Sequence, residues 1–193
     1  MKEMKILILA SGAHAHLSEE DLKALFGDDA VLNVKKMLGD GTSGQFVSDK
    51  KIEIRGPKGS RALTVLGPTR KHTQIELSFT EARPLGLRPP ISDSGKVAGT
   101  LGCTMVGPAG EVELQEGVMA ARRHIHMNAQ DAREHGIEDG AMVKVKIEGE
   151  RALVYDNCLV RVSPKGRTVM HVDYDEMNAA GLEGDGCGII VEG

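Results

Sequence analysis

Residues 14–21 read HAHLSEED, and residues 124–131 read HIHMNAQD. His14, His16, Ser18 and Asp21 correspond to His124, His126, Asn128 and Asp131 at one constant separation of 110 residues. In each copy an H-x-H dipeptide runs straight into a helix start, with Ser18 or Asn128 at a capping position and an aspartate three residues on. Leu22, Leu25 and Phe26 then form an apolar stripe that Gly27 ends, and Gly136 ends the second helix early. A repeated strand-to-helix junction predicts a repeated domain.

Around the two junctions the chain reads as short strands. In TQIELSF, Ile75, Leu77 and Phe79 alternate with Gln74, Glu76 and Ser78, the period of a half-buried strand. Val143, Val145 and Ile147 alternate with Lys144 and Lys146 in the same way. RALTVLG, RALVYDNCLVRV and RTVMHVD are further strands, and Lys5–Ala10 is a first strand, too short for a membrane span. Turn signals separate them at Gly56-Pro57, Gly67-Pro68, Gly107-Pro108 and Ser163-Pro164. EARPLGL from Glu81 echoes DAREHGI from Asp131, and AAGLEGDG is a weaker third copy. A short helix ending in Gly-Ile or Gly-Leu, then a turn and a Val-rich strand, suits small barrels of the double-psi type. The predicted fold is therefore mainly β, with two small β-barrel domains capped by short α-helices. Gly39–Gly44 (GDGTSG) and Pro89–Gly102 read as loops that border a cleft.

Composition narrows the function classes. A net charge of −4, 3% aromatics and no tryptophan give no basis for binding nucleic acid or an acidic membrane. Cys103, Cys158 and Cys187 are odd in number and contain no C-x-x-C, which predicts buried reduced thiols rather than disulfides or a cysteine zinc site.

The histidine pairs carry the chemistry. Residues two apart on a strand face one way, so both imidazoles of an H-x-H reach one ion, and neutral imidazole suits zinc. A single pair is commonly no more than two histidines on a polar strand face, but two pairs followed by the same cap favour duplicated ligands. Glu76, on the polar face of its strand, is either a further ligand or a solvated carboxylate. His171, among Val and Met in a strand, is either a hydrogen-bonded core histidine or a ligand. His72 and His135 read as surface residues. In LGPTRK, Arg70 and Lys71 follow a tight turn and read either as an exposed basic turn or, with Arg70 six residues before Glu76, as a guanidinium fork suited to a phosphate beside a metal.

Taken together, LGPTRK-x-TQIELS, EGVMAARRHIHM, NCLVRV and VMHVD resemble the PduL-type phosphotransacylase (phosphate propanoyltransferase) family, from His14 to about Gly186. The resemblance implies two β-barrels built partly by strand exchange between the chain ends. Here that places residues 14–121 in one barrel and residues 1–13 plus 122–193 in the other. It also implies two zinc ions per chain, one held by His14 and His16, the other by Glu76, His124, His126 and His171. Arg70 would take phosphate with Gln74 as helper. Coenzyme A enters as substrate, and the partners are acyl-CoA, phosphate and acyl phosphate, with no nucleic acid and no membrane. The family usually carries arginine directly before the first H-x-H, whereas Ala13 stands here, and His72 stands where glutamine is common.

The expected activity is reversible transfer of an acetyl or propanoyl group between coenzyme A and phosphate. A dinuclear zinc hydrolase acting on thioesters or phosphoesters, and a non-catalytic zinc-binding barrel, are the alternatives. No microcompartment-targeting extension is expected before His14, which predicts a cytoplasmic enzyme; a homodimer is one candidate assembly.

Overall fold

Met4, Ile6 and Ile8 alternate with Lys5 and Leu7 along β1 (Met4–Ser11) and are buried, the period of two that a pleated strand imposes. In this computed structural model, described for residues 3–39 and 44–191, the chain divides into two compact units. One is Gly12–Ala121; the other joins the stretch through Ser11 to everything from Arg122 onward. Most of the predicted GDGTSG loop, residues 40–43, lies outside the described residues.

The Gly12–Ala121 unit contains β2 (His14–Ser18), α1 (Glu19–Phe26), β3 (Val34–Met37), β4 (Phe46–Gly56), β5 (Gly59–Arg70), β6 (Gln74–Glu76), α2 (Phe79–Ala82), β7 (Ile91–Ser92), β8 (Leu101–Val106) and β9 (Glu111–Ala121). Pairing runs β4–β5–β2–β6–β9–β8 and returns to β4, so the sheet closes into a barrel of six strands. β3 adds to β4 and β7 to β9 outside that ring. The second unit contains β10 (His124–Asn128), α3 (Ala129–His135), β11 (Met142–Ile147), β12 (Leu153–Ser163), β13 (Val169–Asp173), α4 (Tyr174–Ala179) and β14 (Gly186–Val191). Its ring runs β1–β13–β10–β12–β11–β14 and back to β1. The protein is mainly β, with two closed six-stranded barrels and a few short helices.

The two rings share one pairing scheme. β2 lies parallel to β5 and antiparallel to β6; β10 lies parallel to β12 and antiparallel to β13. β9 runs parallel beside β6, and β1 takes that same place beside β13. The strand that completes the later barrel therefore comes from the start of the chain.

Closure removes free edges and gives each barrel an apolar interior. Leu17, Ile52, Ile54, Leu63 and Val65 fill one, and Ile8, Ile125, Met127, Val145 and Val160 the other. Each fully buried aliphatic chain contributes about 1.5–3 kcal/mol. The junctions form as the sequence predicts. Ser18 Oγ accepts from the Asp21 N–H at 3.0 Å, and Asn128 Oδ1 accepts from Gln130 and Asp131 at 3.0 and 2.8 Å. Gly27 and Gly136, at φ 99° and 64°, turn the chain out of their helices through backbone that favours glycine.

Three expectations are corrected. Gly67-Pro68 does not separate two strands but lies within β5, where Gly67 pairs with Phe46 and Arg70 with Ser18. TQIELSF is not a half-buried strand throughout: only Gln74–Glu76 pairs, and all three residues are buried. Ser78 and Glu81 form a capping box that starts α2 at Phe79, which breaks the alternation and leaves Phe79 exposed. Cys187 is an exposed thiol, because it alternates with buried Gly186 and Gly188 on β14; Cys103 and Cys158 are buried as expected. Among the described residues no helix is long and apolar enough to cross a membrane.

Candidate metal centre

β2 sits between β5 and β6, so His14 and His16 are buried despite their polarity. Their rings stand edge to face at 4.9 Å between centroids. The antiparallel register sets Glu76 directly opposite His14, and its Oε2 lies 3.6 Å from His14 Nε2. His14 donates its Nδ1–H to the Gly12 carbonyl at 2.8 Å, which turns Nε2 toward the Glu76 carboxylate. One ligand atom from each of His14, His16 and Glu76 falls within 4.8 Å of the others. Burial, then the neighbouring His14 and the Arg70 charge, holds His16 neutral by lowering its pKa to about 2, opposed only by the Leu66 backbone.

The second barrel repeats the register and the edge-to-face histidine pair. His124 and His126 lie edge to face at 4.9 Å, and His171 stands 5.4 and 5.3 Å from them. His171 is paired directly opposite His124, the place that Glu76 occupies opposite His14. His124 Nδ1 donates to the Arg122 carbonyl at 2.9 Å, as His14 does to Gly12. Burial, with His124 and Arg161, lowers the His126 pKa to about 4. Arg123 braces the segment before His124: it donates to Glu176 at 2.6 Å and to the Asp156 carbonyl at 2.7 Å.

The His14, His16 and Glu76 group fits zinc: it offers three N/O ligands, the number that leaves a fourth position open for chemistry. The buried Nδ1 of His16 has no hydrogen-bond partner among the described residues, a deficit that a metal bond would remove. The β2–β6 register sets Glu76, which the resemblance groups with the second pair, opposite His14.

Arg70 ends β5, with Nη1 donating to Ser94 Oγ at 3.2 Å and Nη2 to Gln45 Oε1 at 3.5 Å. Gln74, only 1% exposed, donates to the same Ser94 oxygen at 2.8 Å and to Glu76, and accepts from the Gly95 N–H at 2.7 Å. Ser94 in turn donates to Glu76 Oε1 at 2.9 Å. One hydroxyl thus ties together Arg70, Gln74 and Glu76. Sequence reasoning marked the Pro89–Gly102 loop as a cleft border without singling out Ser94, and its SDSG turn was the available signal. Ala13 presents a methyl group where the resemblance leads one to expect arginine. His72 is exposed, and His135 is half-buried at the end of α3.

Comparison with known proteins identifies the family. The phosphate propanoyltransferase family profile matches residues 7–183. A phosphate propanoyltransferase of Clostridioides difficile is 45% identical over 181 residues, 93% of this chain and 86% of the relative. One from Thermotoga maritima is 44% identical over 99% of this chain and 91% of its own length. One from Enterococcus faecalis is 42% identical over 95% of this chain and 86% of its own. The chain belongs to the phosphate propanoyltransferase family and is an acyltransferase.

Proposed function

We propose that this protein is a zinc-dependent phosphate acyltransferase that moves an acetyl or propanoyl group reversibly between coenzyme A and inorganic phosphate. The observation that carries the reading is the paired set of ligands: His14, His16 and Glu76 in one barrel, His124, His126 and His171 in the other, at matching ladder positions. Two zinc ions are expected per chain, one at each group. Histidine and carboxylate ligands favour catalytic over structural zinc, since structural sites are closed and mostly rich in cysteine.

Zinc, when bound, supplies Lewis acidity that polarises a carbonyl and stabilises a thiolate. The protein's own groups handle the phosphate. The Arg70 fork neutralises and orients it, with Ser94 holding the guanidinium and Gln74 completing the polar wall. In the forward direction a phosphate oxygen forms a bond to the acyl carbon as the carbon–sulfur bond breaks, and the coenzyme A sulfur leaves with the electron pair. Transfer is taken as direct; Cys103 and Cys158, buried with pKa values pushed up to about 12 chiefly by desolvation, are poor nucleophiles. Acetyl and propanoyl differ by one methylene, about 1–3 kcal/mol in a pocket, so both are taken as substrates. Three free cysteines suit a reducing compartment, and the cytoplasm is the proposed location.

The test combines zinc analysis with acyl phosphate and coenzyme A as substrates. Thioester formation that is lost on chelation and restored by zinc is the expected result. Release of phosphate without thioester would identify a hydrolase; full activity with one zinc or fewer per chain would refute the two-zinc reading.

A further inference from the structure

Beyond the ligands, the two barrels share one more device. Thr73 lies one residue before β6, is buried, and its hydroxyl accepts the Ser18 backbone N–H at 2.8 Å while donating to the Asp21 carboxylate. Ser18 is both the end of β2 and the cap of α1. In the other unit Thr168 lies one residue before β13. Its hydroxyl accepts the Asn128 backbone N–H and side-chain N–H, each at 3.2 Å, and donates to the Asp131 carboxylate. Asn128 ends β10 and caps α3, and its amide also donates to Asp131 at 2.7 Å. The capping residues differ between the copies, and so do the third ligands, Glu76 and His171. The threonine three residues before the third ligand and the aspartate three residues after the cap are the same.

We infer that Thr73–Asp21 and Thr168–Asp131 are positioning clamps, each locking the H-x-H strand in register with the strand that carries the third metal ligand. The inference rests on reading the two groups as metal ligands. The physical need is plain. The β2–β6 ladder pairs His14, Ala15 and His16 with Glu76, Ile75 and Gln74, and the β10–β13 ladder is equally short. A slip of one residue would turn every side chain to the opposite face, and the three-residue β2–β6 ladder gives that register few bonds of its own beyond the flanking β2–β5 and β6–β9 pairings. Such a slip would carry the Glu76 carboxylate or the His171 ring away from its histidine pair. A hydroxyl that accepts from one strand end and donates to the first helical turn beyond it pins the ladder at its last rung. It also anchors α1 or α3 to the same point, so the helix resists the slip. These four residues touch no reacting atom in this scheme and act through the ligands.

The test uses full-length zinc-loaded protein and a chromophoric chelator that reads release of each zinc, with thermal unfolding followed in parallel. Thr73→Val and Thr168→Val keep the side-chain shape and remove the hydroxyl. Each should weaken one zinc of the two by about 10–100-fold, the range for loss of a group that orients a ligand, and leave the other unchanged. The double variant should weaken both, while Thr73→Ser and Thr168→Ser restore wild-type retention. Should Thr73→Val fail to fold, Asp21→Asn loosens the same clamp without removing the hydroxyl, and the same selective weakening is required of it. Both valine variants keeping both zinc ions at wild-type affinity would overturn the clamp, whatever happens to thermal stability. Wild-type protein that holds no zinc would instead overturn the metal reading itself, and the clamp with it.

Discussion

Removing the Ser94 hydroxyl should disable the phosphate side of the site while leaving the fold intact. Ser94 accepts from Arg70 at 3.2 Å and from Gln74 at 2.8 Å, and donates to Glu76 at 2.9 Å. These bonds fill the one donor and two acceptor positions of a hydroxyl. In Ser94→Ala the carboxylate keeps its bond from Gln74, and Arg70 keeps Gln45, so neither group is stranded. The loss is of two bonds to charged groups, each worth about 1.5–3 kcal/mol, partly recovered by those remaining partners. A net cost of about 2 kcal/mol in the transition state corresponds to about 30-fold in kcat/KM. The assay is steady-state kinetics with acyl phosphate and coenzyme A varied in turn, alongside zinc content. The expected fall lies mainly in the parameter for acyl phosphate, with zinc still bound. A variant within threefold of wild type for both substrates would refute the view that Ser94 organises Arg70 and Glu76.

Arg70→Ala should raise the requirement for phosphate far more than that for acyl-CoA, by about 2–4 kcal/mol, with normal zinc content; unchanged phosphate kinetics would remove Arg70 from the site. Metal-free protein should lose stability in acid because of His16. The unfolded residue titrates near pH 6.5, whereas the folded one stays neutral down to about 2. Its contribution is therefore complete above 6.5 and is lost as pH falls toward 2, about 2 kcal/mol of it by pH 5. Urea unfolding at pH 7.5 and 5 should show a steeper decline in wild type than in His16→Asn; equal declines would refute the buried neutral imidazole.

Much of the architecture was legible because it rests on local spacing. Side chains two apart on a strand must share a face, so the histidines of HAH and of HIH could be read as neighbours before any fold was known. Ser18 and Asn128 announced helix starts because an N-cap needs only its own side chain and the next turn. The constant separation of 110 residues then showed that the junction occurs twice.

What the spacing could not reveal was pairing between distant strands. Glu76 and His171 occupy the same ladder position in their barrels, yet neither shares that separation, because the segments between each H-x-H and the residue facing it differ in length. Ser94 reaches Glu76 only because its loop folds onto β6. Phe79 continued the alternation on paper and left it in the fold, where a capping box won over strand periodicity. Residues on one turn or one strand constrain each other through covalent geometry, which the sequence carries by itself. Register between strands is set by which backbone ladders and cores close together, and only the tertiary structure decides that.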